Sequence, residues 1–327
     1  MPTVNACSTL AFALSPLETA LEHIAGYGFD AVEIADQLTH AQHFSADESR
    51  AIDPVAVRAQ LARHGLTPVA ANCTLATFFR DGLGLEKVPR PRNSGAETDE
   101  IKRAKENVVF YKLHEPPQAD AYRAKVRGHL DHAATVGIPM VCLHVGRRAQ
   151  MRDPDRELQA AAAVLDEMAA YAQARSIRIV LEMPHVWQLY HDADRSRQML
   201  GYLTSDNIGV VLDTTHWHTS DYDVEAYVDF LGDRLWNIHL RDAAGKDSPR
   251  GDFLLEATPG KGEVDFGLLA RTLDKVGYTG NVTMETEYKN YTDPEEVDRE
   301  NAFALEHLQS VGWQVPERVG WRMTSES

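Results

Sequence analysis

Four short apolar runs in the second half of the chain each end on one side chain of metal-ligand type: Ile179-Val-Leu-Glu182, Gly209-Val-Val-Leu-Asp213, Trp236-Asn-Ile-His239 and Asn281-Val-Thr-Met-Glu285. Each reads as a buried parallel strand with a polar tip. Helix-length segments separate the runs, and a parallel sheet that closes on itself carries all four tips to one rim. Glu182, Asp213, His239 and Glu285 are then expected to converge on a single point. Three carboxylates and one imidazole suit a divalent cation, Mn²⁺ first and Mg²⁺ or Co²⁺ as alternatives, better than the sulfur-rich sites of structural zinc. A metal-assisted enzyme is the leading expectation.

Eight strand segments are expected in all, at about residues 7–12, 31–35, 67–73, 139–145, 177–183, 208–213, 235–240 and 281–286. Helical patterns alternate with them. One covers 16–26 behind Ser15, with Pro16 in the first turn; another covers 54–64 behind Asp53 and stops at Gly65. Further helical spacing runs over 119–136, 155–174, 224–231, 266–276 and 295–311. Eight β/α units imply an α/β fold, the (β/α)8 TIM barrel. A doubly wound sheet is the alternative, but no Gly-x-Gly-x-x-Gly follows a strand. With 327 residues, 43% hydrophobic and 25% charged, one large core is feasible, so a single barrel domain over 1–327 is expected.

Residues 80–118 exceed a minimal barrel. They follow the third strand, contain Asp81-Gly-Leu-Gly84 and Glu115-Pro-Pro117, and far outrun an ordinary βα loop. This rim insertion reads either as a lid or partner-binding arm over the ligands, or as a surface insertion with a helical stretch near Glu100–Lys112. The tail after Trp313 is expected to fray.

Charge and cysteine usage narrow the function classes. Against 33 Lys and Arg stand 49 Asp and Glu, and the net charge of -16 opposes the phosphate backbone of nucleic acid. Cys7, Cys73 and Cys142 form no CxxC pair and sit inside apolar runs, which fits free thiols in a reducing compartment. No basic segment precedes a long apolar stretch near Met1, so neither export nor a membrane span is expected, and a cytoplasmic location is.

Alternation along a strand puts His239 on one face with Asn237 and Arg241, and Glu285 with Thr283 and Glu287. Glu287 therefore rivals Glu285 as a ligand one layer higher. Taken singly, a strand-end carboxylate is more often a helix cap or ion-pair partner, and a lone histidine a hydrogen-bonded core residue. Four together are different, because without a cation they would repel one another in a poorly solvated mouth.

Longer motifs carry a resemblance. Leu181-Glu182-Met-Pro-His185, Val211-Leu-Asp213-Thr-Thr-His216, Ile238-His239-Leu-Arg241-Asp242, Pro259-Gly-Lys-Gly262-Glu-Val-Asp265 and Gly277-Tyr-Thr-Gly280-Asn-Val-Thr-Met-Glu285 resemble the xylose isomerase-like TIM barrels called sugar phosphate isomerases/epimerases. Tyr27-Gly28-Phe29-Asp30-Ala-Val-Glu33 resembles the same family's first helix-to-strand turn. The resemblance implies that Glu182, Asp213, His239 and Glu285 bind the metal and that His216 and Arg241 contact substrate. The long third loop and His185 depart from the plainest members.

The chemistry expected is proton transfer α to a carbonyl through a metal-bound enediolate, with Glu182 and Glu285 exchanging protons on the two faces of the substrate. Proton return to the same carbon gives epimerisation, and return to the neighbouring carbon gives aldose-ketose isomerisation. Loss of a β-substituent gives a lyase. His185 is read as an additional general base or as support for Glu182, and His144 as a strand-tip residue able to touch substrate. Arg241 pairs with substrate oxygens or merely neutralises Asp242, and Lys261 meets a phosphate or is a turn lysine in water. Trp187, Tyr190 and Trp217 are candidates for an apolar wall suited to a glycoside larger than a free sugar. The resemblance makes a lyase the runner-up, either a C-glycoside deglycosidase α subunit with a smaller β partner or an inosose-type dehydratase. Small carbohydrate partners and a homo-oligomer are expected, without nucleic acid or membrane.

Overall fold

The computed structural model describes residues 1–37, 41, 43–46, 51–79, 108–148, 152–247, 253–288 and 293–317. Strand β1 (Ala6–Ser8) passes through a 3-10 turn (Thr9–Phe12) into α1 (Leu17–Gly26), β2 (Ala31–Asp36), α2 (Pro54–His64) and β3 (Thr67–Cys73). The short strands β4 (Thr77–Phe79) and β5 (Val108–Phe110) precede α3 (Pro116–Val136), β6 (Met140–Leu143), α4 (Pro154–Gln173), β7 (Arg178–Glu182) and α5 (Ala193–Tyr202). The chain continues through β8 (Ile208–Asp213), α6 (Thr214–Ser220), α7 (Val224–Leu231) and β9 (Leu235–Leu240). It ends with β10 (Asp242–Ala244), β11 (Leu254–Ala257), α8 (Phe266–Lys275), β12 (Asn281–Met284) and α9 (Pro294–Ser310).

Eight of these strands form a closed parallel barrel in the order β1-β12-β9-β8-β7-β6-β3-β2, a TIM barrel. The ring closes where Ala6 lies opposite Thr283 and Cys7 lies opposite both Met284 and Val32. Being parallel, every strand ends on the same rim, and register places Asp213 beside His239. Inside the barrel Ala70, Met140, Cys142, Val180 and Val211 pack against one another. Gly209 has no room for a side chain, since a Cβ would lie 2.2 Å from the Trp236 ring.

The helices start where sequence chemistry starts them. Asp53, Asp153, Asp192, Asp223, Asp265 and Asp293 each accept a first-turn backbone N–H, a cap worth about 1 kcal/mol. Pro54, Pro116, Pro154 and Pro294 occupy first-turn positions that need no amide hydrogen. All three cysteines are buried and unpaired. Among the described residues no helix is long and apolar enough to cross a membrane.

Several expectations need correction. The first strand stops at Ser8, and 9–12 turn into 3-10 helix because the Ser8 hydroxyl accepts the Leu10 N–H. Met284 ends the last strand, leaving Glu285 one residue beyond it. The helix placed near 100–112 does not extend over 108–110, which pair antiparallel with 77–79 as β5 and β4; 100–107 lie outside the described residues, as does most of the 80–118 insertion. An unanticipated helix, α6, follows Asp213. Of the segment after Trp313, Gln314 is held, donating its N–H to Pro2 O at 2.9 Å and accepting from Val4 N at 2.8 Å, while 318–327 lie outside the described residues.

His23 on α1 reaches across to α9, its Nδ1 2.9 and 2.8 Å from the two Asp298 carboxylate oxygens. The hydrogen bond to Asp298 raises the imidazole pKa above its usual value, against the opposing effect of partial burial. A raised folded-state pKa stabilises fully below the unfolded histidine pKa of about 6.5, and that contribution is lost as pH rises through the folded value. Thermal melts should therefore show wild type exceeding His23→Gln by a larger Tm margin at pH 6 than at pH 9; an unchanged margin would remove this pair from the pH dependence of stability.

Candidate metal centre and substrate cavity

The four strand tips meet. One ligand atom each from Glu182, Asp213, His239 and Glu285 lies within 4.8 Å of the others, and all four residues are buried. A cation about 2.1 Å from each donor requires opposite donors about 4 Å apart, so small side-chain rotations suffice. Two further facts fit the set to a cation. Glu182 Oε1 and His239 Nδ1 are buried with no hydrogen-bond partner, and oxygen donors outnumber nitrogen three to one, as hard divalent ions prefer.

Neighbours hold each donor in place. His239 Nε2 lies 3.0 Å from Glu33 Oε2, and Asn237 Nδ2 donates to the same oxygen at 3.3 Å. Thr283 Oγ1 in turn donates to Asn237 Oδ1 at 3.1 Å. This chain keeps the Nε2 proton on the Glu33 side and turns Nδ1 toward Glu285 Oε2 at 3.1 Å and Glu182 Oε1 at 3.9 Å. Burial would lower the His239 pKa, but Glu285 and Glu33 outweigh it and hold it well above the usual value, so positive charge is strongly favoured here. Asn72 Nδ2 donates to Glu285 Oε1 at 2.6 Å.

Glu182 Oε2 lies 2.9 Å from His144 Nε2, and Oε1 lies 3.6 Å from His216 Nε2. Its carboxyl is pushed up to about 7 by burial, with Asp213 and Glu285 adding to the shift and His144 opposing it. Asp213 moves the other way: burial alone would raise its pKa, but Arg241, His216 and His239 hold it well below the carboxylate range. Its Oδ1 caps α6 by accepting the Thr215 and His216 N–H groups at 2.6 and 3.3 Å. Oδ2 accepts Arg241 Nη2 at 2.7 Å. A carboxylate has lone pairs enough to cap a helix, pair with arginine and still face the centre. Arg241 does not neutralise Asp242; its other nitrogen, Nη1, donates to Glu287 Oε2 at 2.8 Å. Glu287 is therefore an arginine partner, while Glu285 stands among the clustered donors.

His185 and His216 pack against each other with ring centroids 3.8 Å apart and planes tilted by 33°. His216 is pushed down to about 3 by burial, against the pull of Asp213, and burial with His216 and His144 nearby holds His185 well below its usual pKa. Both are neutral. His185 Nδ1 accepts the Trp187 N–H at 3.3 Å, which leaves its proton on Nε2, 4.0 Å from Glu182 Oε2.

A cavity of about 490 Å³ opens over this cluster, with Asn72, His144, Glu182, His185, Arg241 and Glu285 among its polar lining and Val108, Phe110 and Trp187 among its apolar lining. Trp187 is the one member of the expected aromatic wall that borders it. Tyr190 is fully buried, and Trp217 is buried with its indole N–H donated to Tyr222 O. A second hollow, about 550 Å³, lies between Arg178, Trp236 and Tyr278 at strand N-termini, away from the carboxylates. Lys261 is not free to meet a phosphate, for its Nζ lies 2.7 Å from both Glu300 carboxylate oxygens. His218 sits inside α6, 3.4 Å from Glu263. Asp242 fastens the loop ahead of α8 by accepting the N–H groups of Ala243, Gly260, Gly262 and Val264 at 2.8, 2.8, 2.9 and 3.0 Å. Gly262 is required there, since a Cβ would lie 2.3 Å from Asp242 Oδ1.

Glu33, Asn72 and Asp242 went unassigned at the sequence level. Alternation could have suggested Asn237 as the companion of His239, but nothing local announces Glu33, which reaches His239 across the barrel from β2.

A family model described as xylose isomerase-like TIM barrel matches residues 21–308. The inosose isomerase of Bacillus subtilis (strain 168) is 23% identical over 183 residues, 54% of this chain and 64% of that protein, so the chain spans less than two thirds of this relative. Among solved structures, D-psicose 3-epimerase with D-tagatose from Clostridium cellulolyticum superposes with a TM-score of 0.66 at 16% identity, covering 94% of this chain and 98% of that one. The IOLI protein with a zinc atom gives 0.67 at 18% identity over 94% and 98%. At these identities the structural likeness is one of fold.

Asp242→Ala deletes the acceptor of four backbone N–H groups and should lower the unfolding free energy by about 3 kcal/mol, since hydrogen bonds to charged groups contribute about 1.5–3 kcal/mol each and are not additive. Urea titration measures this, and a loss under about 0.5 kcal/mol, as for an ordinary surface substitution, would show that the loop is held by other means.

Proposed function

The chain belongs to the xylose isomerase-like TIM barrel family, and from that premise we propose that it is a divalent-metal-dependent sugar isomerase or epimerase moving a proton on the carbon α to a carbonyl. The observation that carries the reading is the convergence of Glu182, Asp213, His239 and Glu285 within 4.8 Å, with buried donor atoms lacking partners. These four residues would hold the cation, Mn²⁺ for preference and Mg²⁺ or Co²⁺ next, and zinc in the IOLI neighbour fits a metal site in this fold. When bound, the cation supplies Lewis acidity toward the oxygens of the enediolate that forms as the α-proton leaves.

This chain's own groups supply the rest. Glu182 ends β7 and Glu285 directly follows β12, strands three places apart around the ring, so a substrate between them offers one face to each. One carboxylate takes the α-proton and the other returns a proton from the opposite face, which epimerises the carbon. His144 steadies Glu182 through Oε2 and Asn72 steadies Glu285 through Oε1. His185, with its proton on Nε2, serves as a hydrogen-bond donor and acid toward a substrate oxygen in preference to a base. His216 does not line the cavity; its two buried nitrogens have no hydrogen-bond partner, and its ring lies against His185 and 3.6 Å from Glu182, so it acts on substrate through these two side chains. Arg241, pinned between Asp213 and Glu287, borders the cavity as a fixed donor with its guanidinium already oriented. Inosose isomerase among the relatives and sugar epimerases among the structural neighbours support a sugar or polyol ketone as substrate.

A lyase acting on a larger glycoside is the second reading. It is favoured by the apolar lining residues Trp187 and Phe110, with Phe253 against Trp187 at a ring-centroid distance of 5.4 Å.

Metal-loaded protein incubated with ketoses in D₂O should exchange the substrate α-hydrogen without losing any fragment, followed by proton NMR; release of water or aglycone instead would replace the isomerase reading with the lyase. Glu182→Gln should cut turnover by about 10²–10⁴, the range for loss of a general base, and weaken Mn²⁺ binding measured separately by calorimetry. A variant with wild-type turnover removes Glu182 from the reaction. Glu33→Ala should weaken Mn²⁺ affinity by about 10- to 100-fold through loss of the His239 orientation, and unchanged affinity would show that His239 needs no such support.

A further inference from the structure

Resting on the sugar isomerase reading, we propose that Arg147 forms an anion subsite at the mouth of the cavity, so that the substrate is a ketose or polyol bearing a phosphate or carboxylate at the end away from the reacting carbons.

Arg147 follows β6 on the same rim as the carboxylate cluster and lines the cavity together with Val108 and Phe110. Its backbone is fixed from both sides. Tyr122 donates its hydroxyl to His144 O at 3.1 Å, Arg148 N donates to Trp187 O at 2.9 Å, and the Arg148 side chain pairs with Asp247. Gly146 between them adopts a φ of +64° and packs so tightly on Leu189 that a Cβ would lie 2.4 Å from it. The Arg147 guanidinium lies 5.3 Å above the Phe110 ring, and among the described residues no carboxylate comes within ion-pair distance of it.

That makes it different from Arg241, the other arginine of the lining, whose two ends are committed to Asp213 and Glu287. In a chain with sixteen more acidic than basic residues, a guanidinium that lines the cavity and meets no carboxylate among the described residues is a receptor for an anion. The Phe110 ring offers its π face to the cation, an attraction that helps to place the guanidinium at the cavity. Position sorts the two ends of the ligand. Glu182 and Glu285 are buried on the floor and would repel an anion, whereas Arg147, Val108 and Phe110 are partly exposed, so the charge belongs at the mouth and the ketone below. With Lys261 committed to Glu300, Arg147 takes over the anion role considered for that lysine.

The test uses Mn²⁺-loaded protein and calorimetric binding of D-fructose, D-fructose 6-phosphate and D-fructuronate, with inorganic phosphate alone as a fourth probe. One of the anionic sugars should bind at least 10-fold more tightly than D-fructose, and which one does so assigns phosphate or carboxylate. The preference should vanish in Arg147→Gln, which keeps the stem and one amide, and be partly retained in Arg147→Lys. Circular dichroism and thermal melts confirm that both variants stay folded. Equal binding of the charged and neutral sugars, or a preference that persists in Arg147→Gln, overturns the subsite while leaving the isomerase reading intact. Inorganic phosphate binding that depends on Arg147 in a protein binding no ketose supports the subsite and rejects the isomerase reading. Binding of none of the four probes rejects both.

Discussion

Repulsion among buried carboxylates governs this molecule. The parallel ring brings Glu182, Asp213 and Glu285 to one rim, and Glu33 reaches the same place from across the barrel. Water cannot screen them, since each is nearly inaccessible. The surrounding residues divide the burden unevenly. Arg241, His216 and His239 hold Asp213 well below the carboxylate range, while burial, Asp213 and Glu285 push Glu182 up to about 7 against the hydrogen bond from His144. Environments that push neighbouring carboxylates apart in this way are what acid and base roles are made from. The same imbalance explains the attraction for positive charge at His239.

Much of this was legible before any coordinates. Alternating short apolar runs and capped helical segments imposed the eight-unit barrel, and a parallel ring leaves strand C-termini no choice of rim. Hence four tip residues sufficed to foresee the cluster that the barrel assembles. What escaped notice was long-range or conformational. Glu33 is in sequence merely one acid in a strand, and only barrel closure brings it to His239, 206 residues away. Asp242 figured in the sequence only as an alternative partner for Arg241, and its hold on the backbone of 260–264 depends on a loop path that no local pattern announces. The α6 helix was missed because its residues, Thr214-Thr-His-Trp-His-Thr-Ser220, have poor helix propensity, and Asp213 compensates by capping it.

Tautomers were equally invisible in sequence. Whether His185 offers a proton or a lone pair depends on one backbone amide, that of Trp187, two residues further along a loop whose path no propensity predicts. The relation between Arg241 and Glu287 is similar. Period two put Glu287 on the correct face, yet its role followed from which cation lay within reach.

Asp213 ties folding to ligand geometry. Its carboxylate is fastened at once by the start of α6 and by Arg241, as Glu285 is by Asn72 and His239 by Glu33. Donors fastened by the scaffold have little latitude to contract around a small ion or spread for a large one. Discrimination among divalent ions at such a centre would thus be a matter of ionic radius, set when the chain folds.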